Sequence, residues 1–319
     1  MLFLNKQDIL KAVTMKDTID AIDTAYKLYE SQKFQMPTRM QVTDDPNTLI
    51  LMPCITEDAI GTKLVTSFPN NTKHPTLHGL VILNSSETGE IKAIMDGSFI
   101  TGFRTGAIGG SAIRHLSQAD AKKIAIIGTG VQGFYQAIAA CSQRPITDIY
   151  LFNRTYDKIP LFKENLEKQL DKSIRLHAMK TIESAIQDAE IIITATTSIT
   201  PVLPNNPDLL DNKLIIGIGS FQPEMREFPE ALYLKSNRII VDSEDAVKES
   251  GDIRIPLENK WIEKSSIQTM SSYLTNKHNS THKKGIIFKS TGMALFDVVT
   301  ANLIYQKAIE KGVGNQLSY

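Results

Sequence analysis

One stretch limits what this chain can fold into: residues 122–156, KKIAIIGTGVQGFYQAIAACSQRPITDIYLFNRTY. The apolar run Ile124-Ala125-Ile126-Ile127 predicts a buried strand. Gly128-Thr129-Gly130-Val131-Gln132-Gly133 follows without a break, and a helical pattern then runs to about Ser142. A second strand at Asp148–Phe152 closes a βαβ unit. Three glycines alone are weak evidence; three that leave a strand and open a helix predict a dinucleotide cradle. Gly128 permits the tight turn, Gly130 lets a pyrophosphate approach the backbone, and Gly133 lets helix and strand pack closely. Val131 and Gln132 belong to the same set, because a helix N-terminus offers free N–H groups and partial positive charge to phosphates. The rival reading, an ordinary glycine turn, has to explain why spacing, strand and helix all agree.

The end of the second strand bears on the cofactor. NAD sites usually place Asp or Glu about 20 residues on, to hold the ribose 2′-OH. Here the residues are Asn153, Arg154 and Thr155. No carboxylate repels a 2′-phosphate, and Arg154 can pair with one through charge-assisted bonds. The expectation is NADP(H). If Arg154 is a solvated surface charge, the site takes NAD(H) as well.

The chain has 319 residues, enough for two domains. Lys plus Arg and Asp plus Glu are both 35, so nothing in the charge balance suggests nucleic acid or an acidic membrane surface as a partner. Cys54 and Cys141 lie in apolar surroundings without a CxxC pattern and read as buried free thiols in a reducing compartment. MLFLNKQDIL lacks the pattern of a signal peptide, and no apolar run approaches about 18 residues. The expected setting is cytoplasmic, with a small-molecule ligand.

Taken in order, Thr14 to Asp17 forms a capping box, and Ile19, Ile22, Tyr26 and Tyr29 recur at helical spacing to about Lys33. Short strands follow at 48–52, 61–68, 79–84 and 91–95, with a hairpin turn at 86–89. The first part is therefore α+β. Residues 100–116 read as a helix whose glycines, Gly106 and Gly109 among them, serve close approach of backbone to a ligand or another helix. Beyond the cradle come a charged helix at 157–171, a short helix at 182–189, and strands at 174–179, 191–195, 214–218, 238–241 and 286–288. Thr196 sits at a strand's carboxyl end, where open parallel sheets bind ligands, and Gly219 follows the next strand. The polar stretch 275–284 reads as an exposed turn, and 292–311 as a long helix stopped at Gly312. His74 and His78 lack a second ligand cluster, so no metal site is expected. Asp297 lies one helical turn past Met293 and reads either as a proton relay or as an ordinary helix charge.

MPTR at 36–39, GTKLV at 61–65, FRTGA at 103–107, IGTGVQG at 127–133, ATTS at 195–198, GIGSFQPEMRE at 217–227, ESGDI at 249–253 and FKSTGMALFD at 288–297 together resemble the ornithine cyclodeaminase/μ-crystallin family over nearly the whole chain. The resemblance implies an α/β protein with a Rossmann domain at 117–292. It implies an α+β substrate and dimerisation domain from 1–116 and 293–319. It implies that Arg39, Lys63 and Arg104 converge on an α-carboxylate, that Thr76 faces the cofactor, and that Gly219, Phe221 and Ser290 complete the cofactor site. The chemistry is sensible, since a bidentate Arg matches a carboxylate and a Lys adds a compact charge. A glycine-rich helix and an apolar strand are also poor places for a solvated Arg104 and Lys63.

One departure matters. Cyclodeaminases of the family carry an Asp where this chain has Phe221. A phenyl ring can neither accept a proton nor bind an ammonium as a carboxylate does. The wording GSFQPEMRE and the Asn153-Arg154-Thr155 triplet resemble the branch that reduces cyclic imino acids. The implied protein is a homodimeric, NADPH-dependent reductase of Δ1-pyrroline-2-carboxylate or a related ketimine. Lys63 is the candidate proton donor, because a Lys between two Arg residues has a lowered pKa. The rivals are an ornithine cyclodeaminase, a dehydrogenase of a linear amino acid such as alanine, and a non-catalytic binder.

Overall fold

The computed structural model describes residues 1–236, 238–276 and 285–318. The chain sorts into two compact units, Met1–Arg104 with Met293–Tyr319, and Thr105–Gly292.

The first unit is built on a mixed sheet with eight strands among the described residues. Its long members are Asn47–Thr56, Ile60–Ser67, Leu77–Asn84 and Ile91–Asp96, joined as antiparallel neighbours. Successive side chains on a strand point to opposite faces. Met52, Lys63, Val65 and Val81 are accordingly buried, while Leu64 and Leu80 point to the other side. The helix Ala294–Lys311 covers the buried face, where Val298 Cγ2 lies 2.9 Å from the space a Cβ would take at Gly61. The helix Met15–Ser31 packs beside it, with Tyr26 edge-on to Phe296 at 5.1 Å. Its capping box forms as expected: Asp17 N–H donates to Thr14 Oγ1 at 3.2 Å, and Thr14 N–H donates to Asp17 Oδ2 at 2.9 Å.

Two elements escape the sequence pattern. Leu2–Leu4 is a strand parallel to Ile91–Asp96, and Lys6–Ala12 is a helix capped by Asn5. Three residues cannot display a period, and seven barely do. On the sheet's other face, the register sets Met40 against Leu51, Leu51 against Leu64, and Leu64 against Leu80. Met40, Leu64 and Leu80 are 59%, 37% and 43% exposed, so an apolar stripe crosses four strands.

The second unit is a parallel sheet. Its strands run Arg175–Ala178, Asp148–Phe152, Lys123–Ile127, Ile191–Thr194, Leu214–Gly217, Ile286–Lys289, Arg238–Val241, Ile267–Thr269. Near-continuous apolar runs such as Ile191–Thr194 fit strands covered on both faces. Lys123–Ile127 lies between Asp148–Phe152 and Ile191–Thr194. The order of strands reverses there, the position at which such sheets bind ligands. The edge strand Ile267–Thr269 is too short to stand out in the sequence.

The helix Gly97–Leu116 resolves the question about its glycines. A Cβ at Gly109 would lie 1.8 Å from Gln136 Oε1, and Gln136 Nε2 donates to Thr105 O at 2.8 Å. The glycine thus admits a side chain of the helix Val131–Gln143, not a ligand.

Two expectations need correction. Cys141 is half-buried instead of buried, because it falls at the edge of the stripe made by Ala137 and Ala140; Cys54 is buried, and both thiols are free. The charged helix at 157–171 is shorter, a turn at Tyr156–Lys158 and then Ile159–Glu167, since few of the residues beyond it have anything to bury. Thr275 closes the helix Met270–Thr275, and residues 277–284 of the expected turn lie outside the described residues. Among the described residues, no helix is long and apolar enough to cross a membrane.

Candidate active site

Two constellations carry chemistry, one in each unit. In the first unit, Lys63 on the strand Ile60–Ser67, Arg104 on the helix Gly97–Leu116 and Asp297 on the helix Ala294–Lys311 meet. Lys63 Nζ lies 2.7 Å from Asp297 Oδ2, and Arg104 Nε donates to Asp297 Oδ1 at 2.8 Å. All three side chains are nearly or fully buried. Taking ions out of water costs several kcal/mol each unless they are paired. Asp297 is the acid that pairs with both cations.

The cluster's electrostatics follow from burial and neighbours. Burial pulls Lys63 down to about 8; Asp297 opposes that, while Arg104 and Arg39 add to it. Burial pushes the Asp297 carboxyl up, but Arg104 and Lys63 outweigh it and hold the group below the usual carboxylate range. Arg39 is half-buried and its charge reaches Lys63. Of the expected cation trio, Lys63 and Arg104 meet on one carboxylate, and Arg39 acts on Lys63 through its charge. That carboxylate, Asp297, is the member that sequence reasoning left undecided.

Thr76 is exposed just before the strand Leu77–Asn84, and its carbonyl accepts from Phe68 N–H at 2.7 Å. His74 and His78 are also exposed. Among the described residues, no group of three His, Cys, Asp or Glu could hold a metal ion.

In the second unit, the glycine loop has the shape its spacing requires. Gly128 has φ +107°, a conformation that penalises side chains. A Cβ at Gly133 would lie 2.1 Å from Gly128 O, so helix and loop touch directly. A Cβ at Gly130 would meet nothing within 4 Å. No side chain caps the helix Val131–Gln143, and Val131 is 65% exposed. Thr129 Oγ1 and Gln132 Oε1 are buried without a hydrogen-bond partner among the described residues. An uncapped helix start, an open backbone and spare polar atoms fit a dinucleotide's phosphates. At the end of the next strand, Thr129 N–H donates to Asn153 Oδ1 at 3.2 Å and Asn153 Nδ2 donates to Thr155 O at 2.9 Å. Arg154 is exposed.

The strands beside the loop end in a network that the sequence reading missed. Glu227 Oε1 accepts from Thr196 N–H at 2.7 Å and from Thr196 Oγ1 at 2.8 Å; its Oε2 accepts from Gly219 N–H at 2.8 Å. Asp252 Oδ1 accepts from Glu227 N–H and Phe228 N–H at 2.7 and 2.9 Å, and Lys289 Nζ lies 3.1 Å from Asp252 Oδ2. All three charged residues are fully buried. Burial pushes Glu227 up, Lys289 pulls it down, and the net shift is upward. Lys289 within the apolar IIFK strand was the one signal that could have revealed this network. Ser290 is near the same end of the sheet, its hydroxyl donating to Asp242 Oδ2 at 2.6 Å. Phe221 is 39% exposed in the loop after Gly219.

Comparison with known proteins agrees with this chemistry. The Δ1-pyrroline-2-carboxylate reductase of Bacillus thuringiensis subsp. konkukian is 32% identical over 331 aligned positions, covering 100% of both chains. The Δ1-pyrroline-2-carboxylate reductase of Thermococcus litoralis, solved with NADH and L-proline, superposes with a TM-score of 0.91 at 31% identity over 99% of this chain and 100% of that one. An archaeal alanine dehydrogenase dimer with bound NAD gives 0.90 at 26% identity, over 100% and 99% of the two chains. The ornithine cyclodeaminase/mu-crystallin family profile matches residues 1–312. A Rossmann-type parallel sheet, a glycine loop at its switch point and a buried cation cluster all stand within that match, and the chain belongs to the ornithine cyclodeaminase/mu-crystallin family.

Proposed function

We propose that the protein is an NAD(P)H-dependent reductase of cyclic imino acids, acting on Δ1-pyrroline-2-carboxylate or a related ketimine to give an L-amino acid such as proline. The observation that carries the reading is the buried meeting of Lys63 and Arg104, with the charge of Arg39 close by, around the single carboxylate of Asp297. More positive than negative charge is confined there, which suits a small anionic substrate. The relatives from Bacillus thuringiensis and Thermococcus litoralis supply the substrate class.

When bound, the reduced dinucleotide supplies a hydride. Arg39 and Arg104 hold the substrate carboxylate, and holding a reactant in place removes much of the entropic barrier. Lys63 gives a proton to the imine nitrogen; of the three cations it alone can release one near neutral pH. Phe221 brings no carboxylate to the loop, so the second amine of a diamino acid finds no base there. Gly128, Gly130, Val131, Gln132 and Gly133 receive the pyrophosphate, with Thr196, Gly219, Phe221 and Ser290 around the rest of the cofactor. Asn153, Arg154 and Thr155 favour NADPH over NADH, because none of them repels a 2′-phosphate. The apolar stripe through Leu64 and Leu80 is covered by a second copy of the chain, as suits a patch of this kind.

The test sets two reactions side by side. NADPH oxidation is followed with Δ1-pyrroline-2-carboxylate, and ammonia release is followed with L-ornithine, for the wild type and for Phe221→Asp. The wild type reduces the imine and releases no ammonia. Ammonia release by the wild type, without imine reduction, reverses the assignment.

A further inference from the structure

We infer that Asp297 is a positioning residue for proton transfer: through its two oxygens it keeps Lys63 as an aimed ammonium and turns Arg104 toward the substrate carboxylate. The inference rests on the reductase reading for the reaction, but its geometry stands without it. Asp297 Oδ2 is 2.7 Å from Lys63 Nζ, and Oδ1 takes the Nε edge of Arg104 at 2.8 Å. Fixing Nε leaves the terminal nitrogens on the other edge of the planar guanidinium, the edge that matches a carboxylate end-on. Asp297 is also in the first turn of the helix Ala294–Lys311, where the helix field favours an anion. Three elements of the first unit, a strand and two helices, therefore converge on one side chain.

A carboxylate that served charge balance alone would need a single contact. This one splits its two oxygens between the proton donor and the carboxylate holder. The proton balance shows why that matters. The imine carbon accepts the hydride, the C=N π pair moves to nitrogen, and nitrogen takes a proton from Lys63 Nζ. One N–H bond forms at the substrate and one breaks at Lys63, which then recovers its proton from water. The step needs Lys63 charged beforehand.

The groups facing Lys63 are Asp297, Arg104 and Arg39. Cys54, on the neighbouring strand, is pushed by burial to about 12, with the Asp297 charge adding to that, so it stays neutral. From the helix Met15–Ser31, Tyr26 packs on Phe296 and brings no charge. Asp297 is thus the anion that opposes burial and both arginines. Removing its charge shifts Lys63 further downward, toward a neutral amine that has no proton to give.

The test labels lysine with carbon-13 at Cε in the full chain and follows Lys63, assigned with Lys63→Met, through a pH titration. The wild type titrates near 8. Asp297→Asn titrates lower by roughly 1–3 pH units, the scale of one close opposite charge. An unchanged titration overturns the inference, whatever the enzyme's substrate proves to be. Kinetics give a second readout. Asp297→Asn loses kcat most at high pH and regains much of it as the pH falls, while KM for the carboxylate substrate rises at every pH, because Arg104 is no longer held by its Nε edge. A loss of kcat that is uniform at every pH marks a merely structural residue and also overturns it. Should Asp297→Asn not fold, Arg104→Gln reads the same site with the opposite sign: Lys63 titrates higher. No upward shift counts against the inference.

Discussion

Two buried clusters in this protein use the same ingredients to opposite ends. In the first unit, Lys63 and Arg104 share the carboxylate of Asp297, and the charge of Arg39 reaches Lys63. In the second unit, Lys289 shares two carboxylates, Asp252 and Glu227. The second cluster is closed on itself, since three donors end on Glu227 and two backbone N–H groups end on Asp252 Oδ1. The first sets two cations, Lys63 and Arg104, on one carboxylate. A buried charge network answered by its own backbone holds a fold together, whereas one left with surplus charge is ready for a ligand.

That contrast can be broken by mutation. The largest effect belongs to Lys63→Met. It removes the proposed proton donor and should lower kcat by about 10²–10⁴-fold, the range of general acid catalysis, with the affinity for NADPH unchanged by fluorescence titration. A mild effect would move the proton donor elsewhere. Arg104→Lys comes next. It keeps the charge but loses the planar fork, and a lost charged hydrogen bond costs about 1.5–3 kcal/mol, so kcat/KM should fall roughly 10–150-fold. Near-normal kinetics would place the substrate carboxylate outside the cluster. Glu227→Ala should affect carboxylate capture least. It strands the N–H groups of Thr196 and Gly219, lowering the unfolding free energy by roughly 1–3 kcal/mol per orphaned group in a denaturant titration. The affinity for L-proline should barely change. If L-proline binding collapses instead, the two clusters are not separable in function.

How much of this was legible in the sequence depended on the kind of signal. The strand–glycine loop–helix geometry was fully so, because Gly128, Gly130 and Gly133 act through local geometry at fixed spacing. The capping box at Thr14 was legible for the same reason. The cation site was legible through motif resemblance, since Lys63 and Arg104 are far apart in the chain and only the fold joins them to Asp297. The Glu227–Asp252–Lys289 network stayed hidden. Its members come from three segments, and each alone reads as an ordinary charge beside a turn or strand. Short elements such as Leu2–Leu4 and Ile267–Thr269 were missed because pairing with a neighbour, not local pattern, defines them.

The most direct measurement is kcat for NADPH oxidation at saturating Δ1-pyrroline-2-carboxylate, taken across pH 6–10. The proposed mechanism requires a protonated Lys63, and its ammonium is poised near 8 by burial against the charge of Asp297. The account predicts a plateau on the acid side and a tenfold fall per pH unit well above that point, as expected for loss of one essential proton. A rate that stays level through pH 10, or no NADPH consumption with any cyclic imino acid, would contradict it.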